Sequence, residues 1–358
     1  MKKILHIASE NYAGVPFALV KTERLAGIQS DIVTLMPSKH GHPQEQSLKL
    51  PFFTGRIVDF LRFGSGSSQS LDNTRYTGDK IPPVWNPSNW AKILFNLRDF
   101  IWTHTLSRHS LPESLENYDT LVLDGGIGLL RSGKHILNWN QRSDNLITVY
   151  YGSELRKRGV IPQIDKAAKY VFTFEFDHTL IHPRARFMFY PFFCDEMPVR
   201  NKISDGKIRI GHSPTKRSTK GTDIIVAILE KICKKFPHVE IIVIENLPYR
   251  EALREKSKLD IFIDQLGELG YGISGLEAMA MGIPVATEIM PDFDSFLGEH
   301  PFIKIDAKTL EMEIIKFLEN PDLRIEFGER GLNWLKKYHY PLNAIEPLLD
   351  CYRKENLL

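Results

Sequence analysis

The chain has 358 residues, 42% hydrophobic and 25% charged, and its 46 Lys and Arg nearly balance 44 Asp and Glu for a formal charge of +2. That length exceeds what one hydrophobic core usually serves, so two domains are expected, and the absence of a strong field excludes a general nucleic-acid binder. Cys194, Cys233 and Cys351 are too few and too scattered for a disulfide scaffold or a zinc domain, and are expected to be buried thiols in a reducing compartment. The basic-then-apolar start Met1–Ala8 stops at Ser9-Glu10-Asn11, before a signal-peptide core is complete. No apolar run approaches the roughly 18 residues of a membrane helix, so a cytoplasmic protein without a transmembrane segment is expected.

Lys3 to Ala8 reads as a buried strand, Val15 to Ala26 as an amphipathic helix and Ser30 to Met36 as the next strand, an opening βαβ unit. Its first loop, ending at Gly14, lies where open α/β sheets bind ligands, although a plain strand-to-helix turn accounts for one glycine nearly as well. Residues 39–102 break the rhythm with a Gly-Ser cluster (Gly64–Ser68) and a proline-rich turn (Pro82–Pro87), and are read as an irregular insertion. Within it Phe52, Phe53, Arg56, Phe60, Arg62 and Phe63 interleave cations and aromatics. They suit sugars or acidic lipid headgroups, or else an amphipathic helix packed on its own domain. Acceptor recognition is expected in this insertion. Asp119 to Asp124 and Leu146 to Tyr151 read as buried strands followed by Gly125-Gly126-Ile127-Gly128 and Gly152-Ser153-Glu154-Leu155-Arg156, and Val171 to Phe174 and Phe187 to Tyr190 complete the sheet. The polar stretch Glu196 to Asp205 is the expected domain boundary.

The second half begins at strand Ile208-Arg209-Ile210, which runs into His212-Ser213-Pro214-Thr215-Lys216-Arg217-Ser218-Thr219-Lys220-Gly221 just before a helix with apolar spacing at Ile224, Ile225, Ile228, Leu229 and Ile232. Cations, hydroxyls and a glycine at a helix start are what a diphosphate needs. Val239 to Ile244 is the next strand, followed by Glu245. The strand Ile261-Phe262-Ile263 then empties into a loop with Gly267, Gly270, Gly272 and Gly275, and a short helix follows before Gly282 and Pro284. Exposed amides at that helix start (Gly272, Ile273, Ser274) suit an anion, and Glu277 in its first turns suits sugar hydroxyls. The pair fits a nucleotide sugar, against the plainer reading of an ordinary βαβ crossover. Strands at Pro284 to Ala286 and Phe302 to Ile305, with helices at Glu311 to Leu318, Arg324 to Tyr338 and Asn343 to Tyr352, complete a doubly wound parallel sheet.

Gly270-Tyr271-Gly272 and Glu277-Ala278-Met279-Ala280-Met281-Gly282-Ile283-Pro284-Val285 resemble the donor signature of retaining GT-B glycosyltransferases of the large family 4 (group 1), which use nucleotide sugars. Lys220-Gly221 is similar to that family's phosphate loop, and Tyr151-Gly152-Ser153-Glu154-Leu155-Arg156 to its His-Gly-Ser-Asp-(aliphatic)-Arg segment. The chain departs from the family at Leu269, where a first glutamate stands, and at Tyr151, where a histidine often stands. The resemblance implies an α/β GT-B fold: residues 1–195 as an N-terminal Rossmann-like acceptor domain, 206–340 as a C-terminal Rossmann-like donor domain facing it across a central cleft, and 341–358 as a helix packing back on the first. It implies a hexosyl- or N-acetylhexosaminyltransferase with Lys220 and Glu277 as catalytic residues. The implied donor contacts are Gly14, His212, Ser213, Arg217, Lys220, Gly221, Glu245, Gly272, Ile273, Ser274 and Glu277. The donor would be a UDP- or GDP-sugar as substrate, with no cofactor and no metal, the sequence being read as lacking an Asp-x-Asp signature. The acceptor would be a glycan or lipid-linked molecule, with peripheral membrane contact left open and nucleic acid not expected. The alternatives are a catalytically degenerate GT-B subunit that binds nucleotide or glycan beside a partner enzyme, motivated by Leu269 and Tyr151, and a sugar-phosphate epimerase or synthase of the same fold.

Overall fold

The computed structural model describes residues 2–38, 41–43, 45–51, 81–267 and 269–358. Strands β1 (Lys3–Ala8), β2 (Gln29–Thr34), β3 (Gln46–Ser47), β4 (Thr120–Asp124), β5 (Leu146–Tyr150), β6 (Tyr170–Thr173) and β7 (Ala185–Phe187) form one parallel sheet in the order β3-β2-β1-β4-β5-β6-β7. Runs such as Leu121-Val122-Leu123 are fully buried, as strands covered by helices on both faces must be. Strands β8 (Ile208–His212), β9 (Val239–Val243), β10 (Ile261–Gln265), β11 (Val285–Thr287) and β12 (Ile303–Lys304) form a second parallel sheet, ordered β12-β11-β10-β8-β9. The order reverses between β1 and β4 in the first sheet and between β8 and β10 in the second. Diverging crossovers leave a crevice at such points, beyond the carboxyl ends of the strands.

The chain divides into two compact units, Met1–Pro191 with Ile345–Leu358, and Phe192–Ala344. The division follows Pro191 instead of falling within Glu196–Asp205, because that polar stretch and the residues before it are tied to the second unit. The Phe192 amide donates to His339 O at 2.9 Å, the Asn201 amide to Ser257 O at 2.9 Å, and Arg200 pairs with Asp260 at 3.2 Å. The C-terminal segment is a short turn of helix, Pro341–Ala344, and a separate helix, Glu346–Lys354, broken at Ile345, where one helix was expected. Its last part is held in the first unit by Tyr352 Oη donating to Glu23 Oε1 at 2.5 Å, and by Glu355 accepting from Lys169 and Tyr170, each at 2.7 Å.

The region read as irregular ends inside a 20-residue helix, Asn89–Arg108, started by the Ser88 hydroxyl accepting from the Ala91 amide at 3.3 Å. Its pattern is blurred: Ala91, Phe95, Trp102 and Leu106 are buried at helical spacing, but polar residues share that face and large apolar ones lie outside it. Arg98 and Asp99 are buried as an ion pair at 2.8 Å, Asp99 also caps the Arg131 amide at 2.8 Å, and Trp90, Ile93, Leu97 and Phe100 are exposed. Polar residues inside and apolar ones outside erase the periodicity from which a helix is read. Phe52, Phe53, Arg56, Phe60, Arg62, Phe63 and the Gly64–Ser68 cluster lie outside the described residues. Of the cysteines, Cys351 is buried, whereas Cys194 and Cys233 are only half-buried, contrary to the expectation for all three.

Candidate functional site

The second unit's switch point gathers the loop after β8 and the loop after β10. His212, the last residue of β8, is fully buried, with Nδ1 2.9 Å from Ile263 O and Nε2 2.9 Å from Thr222 Oγ1. A carbonyl only accepts, so Nδ1 carries the proton and Nε2 accepts from the threonine hydroxyl. Burial lowers the pKa of this ring, which is therefore a neutral splice joining β8, β10 and the helix Thr222–Lys235. Both ring nitrogens are engaged, so His212 positions the loop and has no donor to give a ligand. Beyond it the loop closes on the β10 exit: the Leu266 amide donates to Lys220 O at 3.1 Å, and a Cβ added at Gly221 would stand 2.7 Å from Leu266 O. Gly221 also has φ +64°, so only glycine fits that close approach.

Lys220 is thereby carried over the second loop. Its Nζ donates to the Gln265 side-chain oxygen, lies 3.8 Å from Asp264 Oδ1, and would be 3.2 Å from a Cβ at Gly272. The cation and the start of the helix Ile273–Ala280 thus meet in space. Arg217, by contrast, is exposed and held by Glu245 at 2.8 Å and Asp223 at 2.8 Å, and Glu245 is correspondingly engaged. Ser213 is half-buried on the same loop.

The helix start differs from expectation in one respect. The Gly272 amide is not an open donor: it donates to Asp264 Oδ2 at 2.6 Å, while the Gly275 and Leu276 amides return to Gly272 O. No side chain caps the helix, so its first-turn donors are the Ile273 and Ser274 amides. Glu277, one turn on, is only 6% exposed and pairs with Lys256, whose Nζ also donates to Ser274 Oγ at 2.8 Å and Ser274 O at 3.2 Å. Tyr271, at the centre of the Gly-Tyr-Gly signature, is a core residue stacked on Phe302 with centroids 4.5 Å apart, its hydroxyl 3.1 Å from His339 Nε2. Asp264, Gln265 and Lys256 were not assigned roles from the sequence. The acid and amide end an apolar strand with no spacing to mark them, and Lys256 looks like one more charge on a solvated helix.

In the first unit, Gly14 caps the helix Val15–Leu25 with φ +76° beside the carboxyl end of β1. The same unit holds a buried ionic network. His6 has Nδ1 3.1 Å from Asp124 Oδ2 and Nε2 2.9 Å from Glu23 Oε2, and Tyr151 Oη donates to the other Asp124 oxygen. Burial alone would lower the His6 pKa; Glu23 and Asp124 overcome it and raise it to about 10. Tyr151 is thus committed to the core. On the neighbouring strand ends Arg156 bridges Asp177, at 2.6 and 2.7 Å, and Glu175, at 2.7 Å. Burial pushes the Glu175 carboxyl up to about 7, against the pull of Arg156, and Tyr190 Oη donates to it at 2.9 Å.

The Asp-x-Asp spacing read as missing does occur, at Asp292-Phe293-Asp294. It lies on the helix Pro291–Leu297, where Asp294 is taken by His300 at 2.7 Å and Lys304 at 3.1 Å. Among the described residues no group of His, Cys, Asp or Glu is arranged to hold a metal ion, and no helix is long and apolar enough to cross a membrane.

No protein-family model and no curated protein matches the chain. Solved structures do. The chain is similar to HepE of Anabaena, solved in complex with UDP and glucose (10% identity, 99% of this chain and 100% of that one, TM-score 0.58). It is also similar to a sucrose-phosphate synthase of Thermosynechococcus elongatus (13%, 99% of each, 0.59). A third is a Listeria monocytogenes protein assigned as a UDP-N-acetylglucosamine 2-epimerase (10%, 100% and 98%, 0.56). Full-length alignment to such structures, with a parallel α/β sheet in each unit, gives the chain the GT-B fold.

Proposed function

We propose that the chain is a retaining glycosyltransferase whose second unit holds a nucleoside diphosphate sugar and whose first unit receives a glycan, lipid-linked or other small acceptor. The observation that carries this reading is the meeting of Lys220 Nζ with the first turn of Ile273–Ala280 at the β8/β10 switch point, with the Glu277 carboxylate on the same helix. The Ile273 and Ser274 amides and Lys220 would take the diphosphate oxygens, and Glu277 the ribose hydroxyls. Gly14 on the first unit and Ser213, Arg217, Gly221 and Glu245 on the second remain proposed donor contacts. Arg217 and Glu245 would first have to part. His212 is withdrawn as a contact and kept as the support of the loop.

Chemically, the sugar–oxygen bond to the diphosphate breaks while negative charge gathers on the leaving oxygens. Donors already fixed before the reaction stabilise that charge without reorganising, which is how such a site accelerates departure. Asp264 limits the charge: a carboxylate 3.8 Å from Lys220 Nζ offsets part of the cation, so the amides matter as much as the lysine. The UDP complexes of the HepE structures make uridine diphosphate the first donor nucleotide to try.

Titration calorimetry with UDP, GDP and ADP tests the assignment. Lys220→Ala is expected to weaken the preferred nucleotide by about 1.5–3 kcal/mol, roughly 10- to 150-fold, the range for a charge-assisted hydrogen bond. The backbone closure through the Lys220 carbonyl is retained in this variant, and circular dichroism checks that the loss of the amine's contacts to Gln265 and Asp264 leaves the chain folded. Unchanged affinity in a folded variant would remove this loop from the site. A second reading, a non-catalytic nucleotide-binding subunit, is favoured by Tyr151, whose hydroxyl is spent on Asp124. It predicts the same binding without turnover.

A further inference from the structure

Lys256 is the least exposed lysine among the described residues and is not one of the proposed donor contacts: its side chain is 2% exposed and lies over the Phe262 ring, 4.9 Å from the centroid. An ammonium carries three N–H donors. Here they meet Glu277 Oε2, Ser274 Oγ and Ser274 O. Nothing is left for a ligand, so whatever Lys256 does it does through those partners. They are the two polar groups of the helix Ile273–Ala280 that matter most to a nucleotide: the first-turn residue whose amide faces the anion, and the carboxylate one turn later. Lys256 ends a different helix, Tyr249–Lys256, and therefore fixes them against an independent element.

We infer that Lys256 is a positioning residue for nucleotide recognition, holding Glu277 and the first turn of its helix in the geometry that accepts the ribose hydroxyls of a nucleoside diphosphate. This rests on the donor reading of the same helix. A carboxylate offers about four lone-pair sites. Lys256 takes one on Oε2, and Tyr249, whose hydroxyl pKa rises through burial and through Glu277, bonds the same carboxylate. Acceptor capacity remains for hydroxyls.

The test compares UDP, its 2′,3′-dideoxy counterpart and inorganic pyrophosphate by calorimetry on the wild type, Glu277→Gln, Lys256→Met and Lys256→Arg. Wild type should prefer UDP over the dideoxy form by ~tenfold or more, the worth of a hydrogen bond to a charged group. In Glu277→Gln and Lys256→Met that preference should fall to within about twofold, with Lys256→Arg between, while pyrophosphate binds each nearly as wild type does. A merely structural lysine would scale all ligands alike and leave the ratio intact. A folded Lys256→Met or Lys256→Arg that keeps the wild-type ratio overturns the proposal, as does loss of the fold in both lysine variants. A wild type that binds UDP without any ribose preference also overturns it but leaves the diphosphate site standing. A wild type that binds neither UDP nor pyrophosphate removes the donor reading itself.

Discussion

His6→Leu is expected to destabilise the first unit by about 3–5 kcal/mol, the cost of leaving buried carboxylates without their cation. His6, Glu23 and Asp124 are all essentially unexposed. Both ring nitrogens face carboxylate oxygens that only accept, so the imidazole is held doubly protonated. Glu23 also takes Ser30 and Tyr352, at 2.5 Å each, and Asp124 takes Tyr151, so the loss would propagate to the C-terminal helix. Urea unfolding of the full chain reads the effect as an earlier transition for the first unit, with the second little changed. The pH dependence has a definite sign. The folded pKa of about 10 is raised above the ordinary 6.5 of an imidazole, so the His6 contribution is full below 6.5 and is lost as pH rises through about 10. The wild type should lose stability over that window and His6→Leu much less; parallel curves would contradict the network's ionisation.

Arg156→Met should be nearly as costly, about 3–5 kcal/mol before discounting for the partial exposure of Glu175. Arg156 makes three charged hydrogen bonds to Asp177 and Glu175, and burial is the leading influence on all three groups. Glu175 already sits near 7, above its ordinary 4.5, so its contribution to stability falls as pH rises from 4.5 through about 7. Removing the guanidinium strengthens that trend. The deficit of Arg156→Met relative to wild type should therefore be smaller at pH 5 than at pH 8, in denaturant midpoints at the two values. An equal or larger deficit at pH 5 would show that Arg156 acts by packing alone.

These networks mark the boundary of what was legible in the chain. The alternation of strands and helices was readable because parallel strands buried on both faces are continuous apolar runs, as at Leu121-Val122-Leu123 and Ile261-Phe262-Ile263. The helix Asn89–Arg108 was not, because Arg98 and Asp99 lie inside and Trp90, Ile93, Leu97 and Phe100 outside. At the candidate site Lys220, Gly221 and Glu277 could be singled out, since a cation beside a glycine and a carboxylate in a first turn are local signals. Their partners could not: Lys256 is 21 positions from Glu277 on another helix, and Gln265 is 45 positions from Lys220. The spacing presents the Gly272 amide as an open donor, since nothing in it reveals that the Asp264 side chain folds back upon that amide.

The central claim is that this chain breaks the bond between a sugar and a nucleoside diphosphate with retention at the anomeric carbon. Proton NMR of UDP-α-glucose incubated with the full chain, without acceptor, tests it most directly. Slow release of UDP with α-glucose as the first-formed anomer, before mutarotation, is the predicted result, and Lys220→Ala should slow it. β-Glucose appearing first, a donor epimerised on its ring with the diphosphate still attached, or an unchanged donor in a sample that binds UDP would contradict the claim.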